Sequence, residues 1–181
     1  ELARLAATFP ARRFLDMGTG TGYAAIYLAQ RGFEADAVDN NPRAIENARR
    51  NMELNGVKVG LVHSSLYGSV KGPYDVVLFN PPRIPNENIF TRTAGGFLRK
   101  HDWFLKILLP LTQMIFGDER AKFIVSFIRQ SRPHLSPQGR LLMHLTVQEI
   151  PLIEKKIPEI NIQRLKSLNF NQGAIVAVTW K

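Results

Sequence analysis

Asn80, Pro81 and Pro82 close the apolar run "YDVVLF", and their types suit one chemical task, holding a planar nitrogen. An amide or exocyclic amine nitrogen is a poor nucleophile, because its lone pair is delocalised into a carbonyl or a ring. The Asn80 side-chain oxygen and the Pro81 carbonyl can each accept one of its N–H bonds. Held from two directions, the nitrogen is pushed toward pyramidal geometry and its lone pair is aimed. The prolines contribute stiffness: each fixes its own φ, and Pro82 also restricts Pro81, so the carbonyl is oriented in advance. Orientation then supplies most of the rate, and no separate base is required, since the substituted nitrogen loses its proton to water or a nearby acceptor. The plainer alternative is a rigid turn closing a strand. Arg83 follows directly, and its guanidinium plane stacks on a flat base and adds charge attraction.

A second group of residues points to a ligand. "DMGTGTG", residues 16–22, lies between an apolar run and a helical pattern, where glycines admit a ligand close to the backbone and a helix start presents unpaired N–H groups. A dinucleotide fingerprint places glycines at its first, third and sixth positions. Counted from Gly18 the third position is Gly20 but the sixth is Tyr23, so the spacing departs from that site. Asp39 ends the next apolar run 17 residues after Gly22, placed for a two-point hydrogen bond to both hydroxyls of a ribose.

Glycines at 18, 20 and 22 with an acid two residues earlier resemble the motif of S-adenosylmethionine methyltransferases. From about Phe14 to Pro85 the chain resembles the class I N-methyltransferases whose fourth strand ends in Asn-Pro-Pro-aromatic, the methyltransferase small domain. Release-factor glutamine, adenine N6- and ribosomal RNA guanine N2-methyltransferases are of this kind. "LDMGTGTG", "AVDNN" and "VHSSLYGSVKGPYDVVLFNPPRIP", in that order, carry the resemblance. It implies S-adenosyl-L-methionine as cofactor, with Asp16, Gly18, Thr19, Gly20, Gly22, Asp39, Asn40, Ser65, Leu66 and Asn80 around it. Asp16 is expected near the methionine ammonium group, with stabilisation of the turn as its plainer role. Ser65 stands where the family has an acid for the adenine amine, and Arg83 stands where it has the aromatic ring. Asn80, Pro81 and Pro82 are the implied catalytic group, and Arg83 the substrate-binding one.

The elements that must position these residues alternate. "RRFLDMG", "FEADAVD", "VKVGLVHS" and "YDVVLFN" read as four strands. Between them "YAAIYLAQRG" reads as a helix capped by Gly32, and "NPRAIENARRNMELNG" as a helix opened by Pro42, with Ile45 and Leu54 on its buried side. Such alternation argues for a parallel sheet with right-handed crossovers. Residues 83–101 form a polar, lid-like stretch with "RTAGGF" inside it, and Arg92, Arg99 and Lys100 would flank an entrance. Two helical runs follow, "WFLKILLPLTQMIF" and "AKFIVSFIRQSRPHL", then a fifth strand "GRLLMHLTV" and a short helix "IPLIEKKIPE". The tail is a hairpin around Asn171, Gln172 and Gly173. The expected fold is one α/β domain over residues 1–181. Its sheet is Rossmann-like and seven-stranded, in the order 3-2-1-4-5-7-6, with helices on both faces.

Composition narrows the function. The 181 residues contain no cysteine, which excludes disulfides and thiolate chemistry and makes a reducing, cytoplasmic setting the default. No apolar run reaches a membrane span and no signal peptide is recognisable, while the opening Glu1 leaves room for a preceding segment. His63, His101, His134 and His144 are too dispersed for a metal motif, so no metal is expected. Phe97, Trp103 and Phe104 read as helix core. The net charge of +9 is uneven: residues 81–140 hold ten Lys or Arg against four Asp or Glu. A solvated face accounts for that excess, and so does a polyanionic partner. The expected substrate is therefore a macromolecule, nucleic acid ahead of a protein glutamine. A cofactor-binding subunit without activity is the reading from another class, and a dehydrogenase is a distant third.

Overall fold

The central segments "RFLDM" and "YDVVLF" are buried almost throughout, as strands covered on both faces require. In the computed structural model, which describes residues 1–81, 120–168 and 173–181, the strands are β1 (Arg13–Met17), β2 (Glu34–Asp39), β3 (Gly60–His63), β4 (Tyr74–Phe79), β5 (Leu135–Thr146), β6 (Ile160–Leu168) and β7 (Gly173–Trp180). The helices are α1 (Leu2–Ala6), α2 (Tyr23–Ala29), α3 (Pro42–Leu54), α4 (120–131 as described) and α5 (Glu149–Lys156). The sheet order is β3-β2-β1-β4-β5-β7-β6, as expected from the sequence. Strands β1 to β5 pair in parallel and β7 runs antiparallel to both β5 and β6. Among the described residues no helix is long and apolar enough to cross a membrane.

Alternation along each strand divides the core into two layers. Phe14, Val76, Leu78 and Leu142 face a layer built on α1, α2 and α3. Leu15, Met17, Val77, Phe79, Leu141 and Met143 face the opposite layer, which includes Ile124, Phe127 and Ile128 of α4 and Ile150 and Ile153 of α5. The chain winds outward from β1 through β2 to β3, then returns to place β4 on the other side of β1. That reversal between β1 and β4 is a topological switch point, where open α/β sheets leave a crevice at the carboxyl ends of their strands.

Helix α3 starts as its sequence requires: Asn41 Oδ1 accepts the Arg43 N–H at 3.0 Å and Pro42 occupies the first turn. Its buried residues are Ile45, Ala48 and Met52, while Leu54 is 84% exposed. This corrects the expectation for Leu54. It lies nine residues after Ile45, roughly half a turn out of phase at 3.6 residues per turn. Strand β3 is shorter than "VKVGLVHS" suggested, and β5 starts earlier, at Leu135 rather than Gly139. An irregularity lets both ends of β5 pair with β4, at Tyr74 opposite Leu135 and Val76 opposite Arg140. Gly139 sits in that irregularity, where a Cβ would lie 2.8 Å from the Tyr74 carbonyl oxygen.

Polar ties fix the sheet at the ends remote from the switch point. Asp75 Oδ2 accepts the backbone N–H groups of Arg12 and Arg13, each at 2.9 Å, and Oδ1 accepts Ser136 Oγ. The Arg13 and Arg12 amides hold its carboxyl below the ordinary range, and these partners give Asp75 a structural role. Asp36 Oδ2 accepts the Tyr74 hydroxyl at 2.6 Å and Arg13 Nη2 at 3.1 Å, tying β2 to β4 and β1. Gly60 pairs with Asp36 across β3, and a Cβ there would lie 2.0 Å from Asp36 Oδ1. Gly60→Ala is therefore expected to cost about 1–3 kcal/mol, as overpacking does. Urea denaturation checks it; an unchanged midpoint would mean that the Asp36 carboxylate swings away without loss.

Candidate active site

The loop after β1 is built around a buried carboxylate. Asp16, on the same side of β1 as Phe14, is 8% exposed, and its Oδ2 accepts Thr19 Oγ1 at 2.6 Å and the Ala25 N–H at 3.3 Å. The Asp16 and Thr19 side chains thus hold each other and the first turn of α2. This is the turn-stabilising role, and it engages Oδ2 alone. Burial pushes the Asp16 carboxyl up from 3.8 to about 6, against the pull of the Thr19 and Ala25 hydrogen bonds. A carboxyl raised in the folded state holds its proton there more tightly than in the unfolded chain. Stability therefore falls as pH rises from about 4 to about 6, by roughly 2–3 kcal/mol. Asp16→Asn keeps an oxygen acceptor without the charge. Its melting temperature relative to the natural chain is expected to be higher at pH 7.5 than at pH 4.5, read by calorimetry at both values.

Three glycines in the left-handed region shape the rest of the loop, Gly18 at φ 66°, Gly20 at 56° and Gly22 at 81°. Gly22 precedes α2, and a Cβ on it would lie 3.2 Å from Ala48 Cβ, so this glycine lets α2 and α3 approach. Among the described residues, nothing beyond its chain neighbours comes within 4 Å of where a Gly20 Cβ would be. Gly20 donates its N–H to Asp39 Oδ2 at 2.9 Å, while Asn41 donates its N–H to Asp39 Oδ1 at 2.9 Å. Asp39, partly exposed at the end of β2, therefore staples the glycine loop to the start of α3. Among the described residues each oxygen keeps an unused lone pair.

The loop after β3 adjoins this staple. The Ser64 N–H donates to the Asp39 carbonyl, and the His63 ring meets the exposed Asn40 through its carbonyl, Nε2 to oxygen 3.1 Å. Ser65 is exposed and Leu66 half-buried, with Leu66 held at φ 46°, a left-handed conformation rarely adopted by a branched aliphatic residue. Neither this conformation nor the His63 contact is marked in the sequence; the contact follows from the register that sets His63 opposite Asp39.

Asn80 and Pro81 follow β4, whose neighbour β1 carries the glycine loop, and Met17 pairs with Phe79 in register. Asn80 is exposed and Pro81 buried. The Phe79 ring packs on Phe127 with centroids 4.1 Å apart, and lies 3.6 Å from where a Gly18 Cβ would be. The end of β4 and the glycine loop are thus in direct contact. Pro82, Arg83, the stretch 83–101, Phe97, Trp103, Phe104 and His101 lie outside the described residues.

Residues 2–107 match the family model of the methyltransferase small domain. The chain belongs to that family. A release factor glutamine methyltransferase from Deinococcus radiodurans is 31% identical over 147 residues, covering 80% of this chain and 49% of that protein. The ribosomal RNA small subunit methyltransferase C of Chromohalobacter salexigens is 38% identical over 71 residues, 39% of this chain and 21% of its own length. The chain therefore spans about half of the first relative and about a fifth of the second. The crystal structure of a Pyrococcus abyssi tRNA (uracil-54, carbon 5)-methyltransferase in complex with S-adenosyl-L-homocysteine shares the fold. It has a TM-score of 0.61 and 22% identity, over 98% of this chain and 36% of that one. Within the methyltransferase small domain described here, the open face of Gly20 and the free lone pairs of Asp39 fit an adenosine-bearing cofactor.

Proposed function

We propose that this methyltransferase small domain transfers the methyl group of S-adenosyl-L-methionine to a planar amine or amide nitrogen of a macromolecule, with a nucleic-acid base as first candidate. One observation carries the reading. The glycine loop, Asp39 and Asn80-Pro81 end three adjacent parallel strands, β1, β2 and β4, at the switch point of the sheet. The cofactor, when bound, supplies a methyl group on a positively charged sulfur.

The roles of the chain's own groups follow from their chemistry. Asp39 would receive the ribose hydroxyls on its remaining lone pairs. Gly18, Gly20 and Gly22 would lay bare backbone beside the cofactor, with Asp16 and Thr19 holding the loop in shape. Asn40, Ser65 and Leu66 would line the side nearest β3. Asn80 Oδ1 and the Pro81 carbonyl would accept the two N–H bonds of the target nitrogen, so that its lone pair is directed at the methyl group. The bound cofactor would supply the methyl for the new N–C bond and keep the electron pair of its S–C bond, while Asn80 and Pro81 hold the nitrogen as it gives up its proton to water. Pro82 and Arg83 keep the roles proposed from the sequence, stiffening and stacking.

Net charge favours the nucleic acid, since +9 on 181 residues attracts a polyanion. A protein glutamine is the second reading, favoured because the Deinococcus release factor enzyme matches 80% of this chain while the ribosomal RNA relative matches 39%. A cytoplasmic setting belongs to the same proposal, on the absence of cysteine. Incubation with tritiated cofactor and separate RNA, DNA and protein extracts tests all of this. Nuclease-sensitive label supports the first reading and protein label the second. Label in no extract would overturn both and leave a cofactor-binding subunit.

A further inference from the structure

The outward face of α2 carries a feature that methyl transfer itself does not use. Tyr23 follows Gly22 directly, and its side chain is 60% exposed, at the lip of the glycine loop. Four residues on, Tyr27 stacks against it with ring centroids 6.3 Å apart and planes 27° from parallel. Four further on, the Arg31 guanidinium lies 3.5 Å over the centre of the Tyr27 ring, and its Nη1 donates to the Tyr27 carbonyl at 3.0 Å. The spacing of four places Tyr23 and Tyr27 on one face of α2, and Arg31, just past its end, lies over the Tyr27 ring.

The exposed Tyr23 ring keeps apolar area in water, so an aromatic pair ending in a cation is suited to a ligand that is both flat and anionic. Charge on this side agrees. No acidic residue lies between Asp16 and Glu34, and the exposed surface of neighbouring α3 offers Arg43, Arg49 and Arg50 against Glu46 and Glu53, with Arg49 and Arg50 paired to Glu46. The two helices are joined beside the ladder, through Asn51 Nδ2 to the Thr21 carbonyl at 2.8 Å and Gln30 Nε2 to Asn55 Oδ1 at 3.0 Å. A base stacks on a tyrosine face whatever its identity, and an arginine adds attraction to the phosphates.

We propose that the Tyr23–Tyr27–Arg31 ladder is a stacking platform for single-stranded nucleic acid flanking the target base. The proposal rests on the nucleic-acid reading of the substrate. Fluorescence anisotropy with short labelled single-stranded RNA and DNA tests it on the whole chain, beside calorimetric titration of S-adenosyl-L-methionine. Tyr23→Ala is expected to weaken oligonucleotide binding about five- to a hundred-fold, the range set by losing one base–aromatic stack. Tyr23→Phe should retain the affinity, and both variants should keep the cofactor affinity and the melting temperature. Arg31→Gln is expected to flatten the salt dependence. Equal oligonucleotide affinity for Tyr23→Ala and the natural chain would overturn the platform and leave the nucleic-acid substrate standing. A parallel loss of cofactor affinity would overturn it too, placing the ring in the cofactor pocket. No oligonucleotide binding by the natural chain would overturn the substrate reading itself and leave this face to a protein.

Discussion

Asn80→Ala is expected to lower turnover by a factor on the order of 10²–10³ at saturating substrate, the scale of losing one pre-oriented hydrogen-bond partner at a reacting group. Cofactor affinity should fall no more than about fivefold, since one exposed neutral hydrogen bond is worth about 1 kcal/mol. The separation of the two effects is the point of the experiment. Asn80 is exposed at the end of β4, so its truncation leaves neither a cavity nor an unpaired buried group. The Pro81 carbonyl would remain and hold one N–H alone, leaving the nitrogen free to rotate away from the methyl group. Asn80→Asp keeps an acceptor oxygen and should lose less on a neutral amine. Radiolabel transfer at fixed time, together with cofactor calorimetry, measures both quantities. Unchanged transfer to every accepted substrate would remove the clamp and return Asn-Pro-Pro to a structural turn.

The glycine loop and Asp39 were legible because their requirements are local. A backbone that must turn at positive φ three times within five residues selects glycine at each position, and the spacing announces itself. The sheet order was legible for a similar reason, since strands alternating with helices leave few ways to wind. What stayed hidden depends on register. Asp36 meets Tyr74 across 38 residues and Arg13 across 23, so no pattern in the chain marks it as a tie between three strands. The His63 contact with Asn40 is likewise a product of the β2–β3 pairing. The five-residue helix α1 is too short to show a periodic signal, and its buried Ala3 and Ala6 carry little hydrophobic contrast. Leu54 is a different failure: its phase relative to Ile45 was available in the sequence and pointed outward.

Asp16 shows how a site residue can be found for a reason other than its chemistry. Its position two residues before Gly18 marks the motif, yet its Oδ2 is taken by Thr19 and Ala25, inside the protein rather than toward the crevice. Asp16 thus holds the loop's shape through Oδ2, while the proposed function assigns the ribose to Asp39. Asp16 sets the turn from within, and Asp39 closes it from the rim.

That division makes Asp39→Ala the more informative loss at the rim. Two hydrogen bonds to a charged acceptor contribute about 1.5–3 kcal/mol each. Allowing for water that replaces them at a partly exposed carboxylate, cofactor affinity is expected to weaken about 10²–10³-fold. The same change also frees the Gly20 and Asn41 amides, so the protein without cofactor should lose about 1–2 kcal/mol of stability. Both effects have one origin but separate readouts, calorimetric affinity for the first and denaturation without cofactor for the second. Asp39→Asn distinguishes them further. Its one acceptor oxygen can keep the Gly20 or the Asn41 tie but serves a ribose poorly, so stability should recover more than affinity does. Turnover at saturating cofactor should return close to the natural value in both variants, because Asp39 stands two strands away from Asn80. A stability loss with unchanged cofactor affinity would reduce Asp39 to a staple of the loop. The adenosine would then have to be held by the Asn40, Ser65 and Leu66 side alone.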